Sequence, residues 1–160
     1  MKAYHTTIVI NTPAATVWSG LTDFAAYPEW NPLVAWLRGD FATGGQIQLF
    51  ITPLQRAFTA RLTLVQPGQA FTWLGVQFAP WFLAGEHYYR LEPVDGHTTR
   101  LVHGEYFRGL GSAFISAALL TTMEDTFHRH NQRLKARLEG GLSADQQGQH
   151  DSPQDGGQQR

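Results

Sequence analysis

The chain of 160 residues contains no cysteine. Disulfides, thiolate metal sites and cysteine nucleophiles are thereby excluded, and the composition fits a reducing compartment. Charge is scarce as well. Twelve Lys and Arg stand against thirteen Asp and Glu, for a net charge of −1. Nucleic-acid binding is not expected, because neutralising phosphates needs a concentrated excess of basic side chains. No apolar run approaches the length of a membrane span, and the opening MKAYHTTIVINTP lacks the apolar core of a signal peptide. The expectation is a cytoplasmic protein without an integral membrane segment.

What is abundant is aromatic surface: five Trp, five Tyr and ten Phe. Such rings fill cores, and they also line pockets for flat or greasy ligands.

Read along the chain, Ala3 to Asn11 is a strand candidate rich in β-branched residues. Thr12-Pro13 then opens a helix to Thr22, with Thr12 as its cap and Ala14, Val17, Trp18 and Leu21 forming one apolar stripe. Asp23 to Trp30, bracketed by Pro28 and Pro32, reads as a second short helix or turn. Asn31 is placed to fix the following turn through its side chain. From residue 33 the period drops to about two. Strands are expected near 33–39, 45–52, 57–66, 69–77, 82–92 and 98–108, separated by Gly, Pro and Asp-Gly turn signals. Leu110 to Glu139 is the longest helical pattern, about 40 Å if continuous, ended by Gly140-Gly141. Residues 141–160 are rich in Gln, Gly and Asp and are expected to be a disordered polar tail beyond a domain of residues 1–140.

The order strand, two helices, six strands, long helix predicts an α+β helix-grip fold. In it, a curved seven-stranded antiparallel sheet wraps on a long C-terminal helix and leaves a gap at its wider end. The motif Pro13-Ala14-Ala15-Thr16-Val17-Trp18, then Leu21-Thr22-Asp23 and Tyr27-Pro28-Glu29-Trp30-Asn31-Pro32, resembles the SRPBCC superfamily of START-related and birch-pollen-allergen-like proteins. Within it, the chain is most similar to the polyketide cyclase/dehydrase and lipid-transport group. Gly85-Glu86-His87-Tyr88-Tyr89-Arg90-Leu91-Glu92-Pro93 and Thr99-Arg100-Leu101-Val102-His103-Gly104-Glu105 carry the same likeness. The resemblance implies the fold over about residues 3–139. It leaves binders, carriers and cyclases open as functions.

Alternation places His87, Tyr89 and Leu91 on one face of their strand, and Leu101, His103, Glu105 and Phe107 on one face of the next. An Asp95-Gly96 hairpin would set His87 beside Glu105 and Tyr89 beside His103. An inward His–Glu pair can orient a ligand, act as acid and base, or simply satisfy itself as a buried pair. His87, His103 and Glu105 are thus the catalytic candidates, and as a two-His-one-carboxylate set they can also be weighed as metal ligands. Nothing in the spacing demands a metal, and no cofactor is called for. Gly109-Leu110-Gly111-Ser112 lacks the third glycine and the βαβ context of a dinucleotide loop.

The expected ligand site comprises Phe58, Leu62, Phe71, Trp73, His87, Tyr89, His103, Glu105, Phe107, Phe114, Leu119 and Met123. Ala60, Leu64, Ile115 and Ala118 share its faces. Trp81-Phe82-Leu83 is read as a hydrophobic lip or as ordinary core, and His128 and His130 as surface or rim residues. The expected partner is a small hydrophobic molecule. The alternatives are a cyclase or dehydratase and a co-chaperone-like interaction module. The sequence leaves the oligomeric state open.

Overall fold

A computed structural model describes the backbone of residues 2–147 and the side chains of residues 2–140. Its elements follow the expected order: β1 (Lys2–Ile10), α1 (Ala14–Thr22), α2 (Tyr27–Trp30), β2 (Val34–Gly39), β3 (Gln46–Ile51), β4 (Arg56–Gln66), β5 (Ala70–Gln77), β6 (Leu83–Pro93), β7 (Thr99–Arg108) and α3 (Ala117–Gln147). The seven strands form one antiparallel sheet in the order β1-β7-β6-β5-β4-β3-β2. The first strand closes on the last, so α1 and α2 cross from one sheet edge to the other. The sheet wraps α3 as a helix-grip fold.

The chemistry of each junction explains its geometry. Asn31 Oδ1 accepts from the buried backbone N–H groups of Leu33 and Val34, both at 2.9 Å, and so turns the chain into β2. Val94 and Asp95 close the β6–β7 hairpin onto Thr98, and His97 N–H donates to Asp95 Oδ1 at 2.8 Å. Gly109 has φ +93, and a Cβ there would sit 2.4 Å from the Phe82 carbonyl oxygen, so only glycine fits.

Four local expectations are corrected. Thr12 does not cap α1: its Oγ1 is buried without a partner, and Pro13 takes the cap position with its carbonyl accepting from Thr16 and Val17. Leu64 does not share the face of Leu62. A bulge between them puts Val65 opposite Phe71 instead, because the extra residue flips the alternation. The long helix is broken near its start. Leu110–Phe114 is a separate 3-10 turn and Ile115 is extended. α3 begins only where Ser116 Oγ accepts the Leu119 N–H at 3.1 Å. At its other end α3 passes through Gly140-Gly141 to Gln147, a continuation that a glycine opposes by only about 1 kcal/mol. The remainder of the expected polar tail, residues 148–160, lies outside the described residues.

Replacing Asn31 with Ala strands two buried donors. The expected cost is about 2–4 kcal/mol, read as a lower urea midpoint at an unchanged denaturant slope.

Candidate functional site

The concave face of the sheet is organised in transverse rows, because inward side chains of paired strands lie side by side. One row runs Val65, Phe71, Tyr89, His103, Thr6, and the next runs Leu62, Trp73, His87, Glu105, Tyr4. Both are filled by large side chains. The third runs Ala60, Gly75, Gly85, Phe107. Here three adjacent strands present a methyl group and two hydrogens where the neighbouring rows present rings. The volume that those side chains would have occupied is empty. It forms a cavity of about 290 Å³ between the sheet and α3.

Its wall is almost wholly apolar: Leu33, Leu49, Ile51, Leu54, Phe58, Ala60, Trp73, Val76, Leu83, Phe107, Ile115, Leu119, Leu120, Met123 and Phe127, with backbone exposed at Gly75 and Gly85. The polar groups are Gln77, His87 and Glu105. The β5–β6 turn and the 3-10 turn before α3 meet at one end. Leu110 N–H donates to the Trp81 carbonyl at 3.1 Å, Gly111 N–H donates to that of Phe82, and Lys2 ties Ile115 to β1. In these two segments Phe78 (92%), Trp81 (68%) and Phe114 (84%) stand exposed.

Behind the wall lies a buried polar network whose proton positions follow from its own connectivity. The His103 carbonyl can only accept, so Thr6 Oγ1–H donates to it at 3.1 Å. Thr6 Oγ1 must then accept from Asn131 Nδ2, at 2.7 Å. This turns Asn131 Oδ1 toward the histidines, where it accepts from His103 Nδ1–H at 2.9 Å and His130 Nδ1–H at 3.1 Å. Neutral His103 keeps a lone pair on Nε2, which accepts from His87 Nε2–H at 3.0 Å. Neutral His130 accepts from Tyr89 O–H at 3.3 Å. Burial disfavours a charge on any of the three rings. It holds His87 and His103 well below the usual imidazole value and His130 down to about 4, with the neighbouring imidazoles adding to the shift at His87 and His103. His103 is clamped between Tyr89 (centroids 4.2 Å apart) and Phe127 (4.0 Å), and His87 lies flat on Trp73 at 4.1 Å and 5°.

His87 does face Glu105 across the strands, but the two do not bond. Glu105 Oε2 accepts from Tyr4 O–H at 2.8 Å, because β1 lies on the far side of β7 and sets Tyr4 opposite Glu105. Desolvation raises the Glu105 carboxyl to about 7 despite that hydrogen bond, which acts in the opposite direction. The missing side chain at Gly85 gives it room: a Cβ there would lie 2.6 Å from Glu105 Oε1.

Of the twelve residues named from sequence, Phe58, Trp73, His87, Glu105, Phe107, Leu119 and Met123 line the cavity. Leu62, Phe71, Tyr89 and His103 do not: they are buried in the filled rows beside it. Phe114 is also off the wall, carried outward by the 3-10 turn. The lip divides: Leu83 lines the cavity and Trp81 is exposed. His130 is not a rim residue but completely buried, three residues from Phe127 and four from Leu134 on the inward stripe of α3, whereas His128 is exposed. Sequence reasoning missed Asn131, Tyr4 and Thr6 as polar partners and the small residues Gly75 and Gly85 as the source of the void. Among the described residues no group of three His, Asp or Glu is arranged to hold a metal ion, and no helix is long and apolar enough to cross a membrane.

Residues 1–139 match the family described as polyketide cyclase / dehydrase and lipid transport. No curated protein matches the chain in sequence. Among solved structures, the Zhui aromatase/cyclase from a Streptomyces species superposes with a TM-score of 0.66 at 18% identity, covering 86% of this chain and 93% of that one. A START superfamily protein from Mycobacterium smegmatis gives 0.65 at 18% identity, covering 86% and 97%. The di-domain ARO/CYC BexL gives 0.66 at 17% identity over 84% of this chain, which spans about half (47%) of its length. At such identities the likeness is one of fold.

Two outcomes follow from the buried titrations. As pH falls below 6.5 the unfolded chain protonates His87, His103 and His130 while the native state does not, so each removes up to about 1.4 kcal/mol of stability per pH unit; for His130 the loss stops near pH 4. Glu105 opposes this: its raised value makes its contribution fullest below pH 4.5 and lost as pH rises through about 7. With three groups against one, urea midpoints should fall steadily from pH 6.5 to pH 5; a flat or rising profile contradicts the burial of neutral imidazoles. In Tyr4→Phe the carboxyl loses its hydrogen bond, and its titration by carboxyl 13C NMR should move further upward.

Proposed function

The chain belongs to the polyketide cyclase / dehydrase and lipid transport family, and we propose that it binds one small, mostly apolar molecule in the cavity between sheet and α3. The observation that carries this reading is the Ala60–Gly75–Gly85 row. A sheet built only to pack on α3 gains from large inward side chains at these positions, as its other two rows have. The void lies at the lower end of the roughly 300–1,000 Å³ typical of ligand pockets, which favours a one- or two-ring compound or a short branched chain. Apolar burial, at about 25 cal/mol per Å², supplies the affinity, and His87 and Glu105 supply the polar contacts that fix orientation.

Gly75 offers a direct test. A Cβ built there meets nothing closer than the Gly85 carbonyl oxygen at 3.9 Å, so a larger side chain projects into the void without a clash at its base. Gly75→Leu should weaken binding of two-ring aromatics at least tenfold by calorimetry. Thermal stability should be unchanged or raised, since glycine in a strand interior costs about 0.5–1 kcal/mol. Equal binding by the variant and the parent would sink the reading.

A second reading, catalysis of dehydration or cyclisation, is favoured by one observation: a carboxyl that titrates near 7 shares the cavity with a neutral imidazole. His87 would take a proton from the carbon next to a ligand carbonyl. Glu105 would give its proton to the departing hydroxyl, releasing water and leaving a double bond. On this reading Glu105→Gln abolishes turnover of a β-hydroxy ketone and leaves its binding intact.

A further inference from the structure

We infer that the cavity selects for ligands carrying a hydrogen-bond donor, a hydroxyl or N–H, and that Thr6 and Asn131 set this preference from outside the cavity by fixing the tautomer of His87. The inference rests on the cavity being a ligand site, and it adds the chemical class that the site accepts.

The argument is a chain of single choices. The His103 carbonyl has no proton to give, so the Thr6 hydroxyl must point its hydrogen there. The same oxygen then accepts from the Asn131 amide, and the amide has one orientation. Asn131 Oδ1 forces the proton of His103 onto Nδ1, and the bare Nε2 of His103 forces the proton of His87 onto Nε2. A neutral imidazole has one ring proton, so His87 Nδ1 carries a lone pair. That nitrogen has no protein partner. It is also absent from the sealed, unpartnered side-chain atoms among the described residues, which are Thr12 Oγ1, Trp30 Nε1 and Asn31 Nδ2. His87 lines the cavity, and its ring is held flat against Trp73. An acceptor without a donor therefore faces a chamber whose wall is almost wholly apolar, with Gln77 and Glu105 as its other polar groups. A ligand hydroxyl satisfies it, whereas an ether or carbonyl at the same place sets two lone pairs against each other. Thr6 and Asn131 are positioning residues in this scheme, since neither lines the cavity.

Two measurements on the full chain test it. Two-bond 1H–15N spectra of the histidine rings should show His87 and His103 as single, opposite tautomers: Nε2–H for His87 and Nδ1–H for His103. A protonated Nδ1 on His87 overturns the inference whatever the protein binds. In calorimetric titrations, 1-naphthol should bind at least tenfold tighter than 1-methoxynaphthalene or 1-naphthaldehyde, with naphthalene between. Equal affinities for naphthol and its methyl ether overturn the donor preference but leave the cavity as a binding site. Binding of none of the four overturns the proposed function and the preference together. Thr6→Val keeps the shape and removes the anchor, so either amide orientation becomes allowed. Its ring spectra should show mixed tautomers, and its naphthol preference should fall to threefold or less. Unchanged selectivity and a single His87 tautomer in that variant would contradict the role of Thr6. Asn131→Asp keeps an acceptor facing both histidines and should retain the Nδ1–H tautomer of His103.

Discussion

One side-chain oxygen organises this interior. Asn131 Oδ1, projecting from α3, accepts hydrogen bonds from His103 on β7 and from its own neighbour His130. The amide nitrogen of the same residue reaches Thr6 on β1. A helix laid on a sheet by apolar contact alone can slide and rotate at little cost. These directional bonds are formed in a buried setting where a lost partner costs about 1–3 kcal/mol, so they fix the depth and rotation of α3 against the two strands that close the sheet. With that register fixed, Phe127 stacks on His103 and Met123 faces the void. The histidines of the cluster are neutral because burial disfavours a charge on each ring, and His103 keeps a lone pair on Nε2 to accept from His87.

The same register divides the concave face into two materials. Where Tyr89, His103, Phe71 and Trp18 meet, rings pack edge to face and face to face and nothing is left over. Two rows further along, the rings stop and glycines begin. The boundary is the His87–Trp73 stack with Glu105 beside it, so the polar groups of the cavity are those that terminate the packed region. The chamber and its two titratable groups are therefore consequences of one pattern: β4, β5 and β6 are small at one height, at Ala60, Gly75 and Gly85, between Leu62, Trp73 and His87 on one side and Phe58, Gln77 and Leu83 on the other.

Much of this was legible in the residues. The period-two runs, the Asp95-Gly96 hairpin and the Asn31 turn gave the strands and the pairing of His87 with Glu105 and of Tyr89 with His103. What escaped was information that one strand does not hold. Whether Glu105 bonds to His87 or to Tyr4 depends on β1 pairing with β7, a contact spanning a hundred residues. Whether His130 faces solvent or core depends on the rotation of α3, which the break at Ile115 and Ser116 resets. A one-residue bulge, which strict alternation does not show, turns Leu64 to the other face. Gly75 and Gly85 carry no signal of the cavity one at a time, because a void is made by residues on neighbouring strands being small at the same height, and a single strand shows only one of them.

The interior is packed solid at one end and holds a chamber with an almost wholly apolar wall at the other. Diffraction from crystals under xenon pressure tests this directly, since unfilled apolar cavities take up the gas and packed interiors do not. Ordered xenon is expected above the floor formed by Gly75 and Gly85, and none among Phe71, Tyr89 and His103. A xenon-free region, filled by side chains of α3 collapsed onto the glycines, would contradict the account.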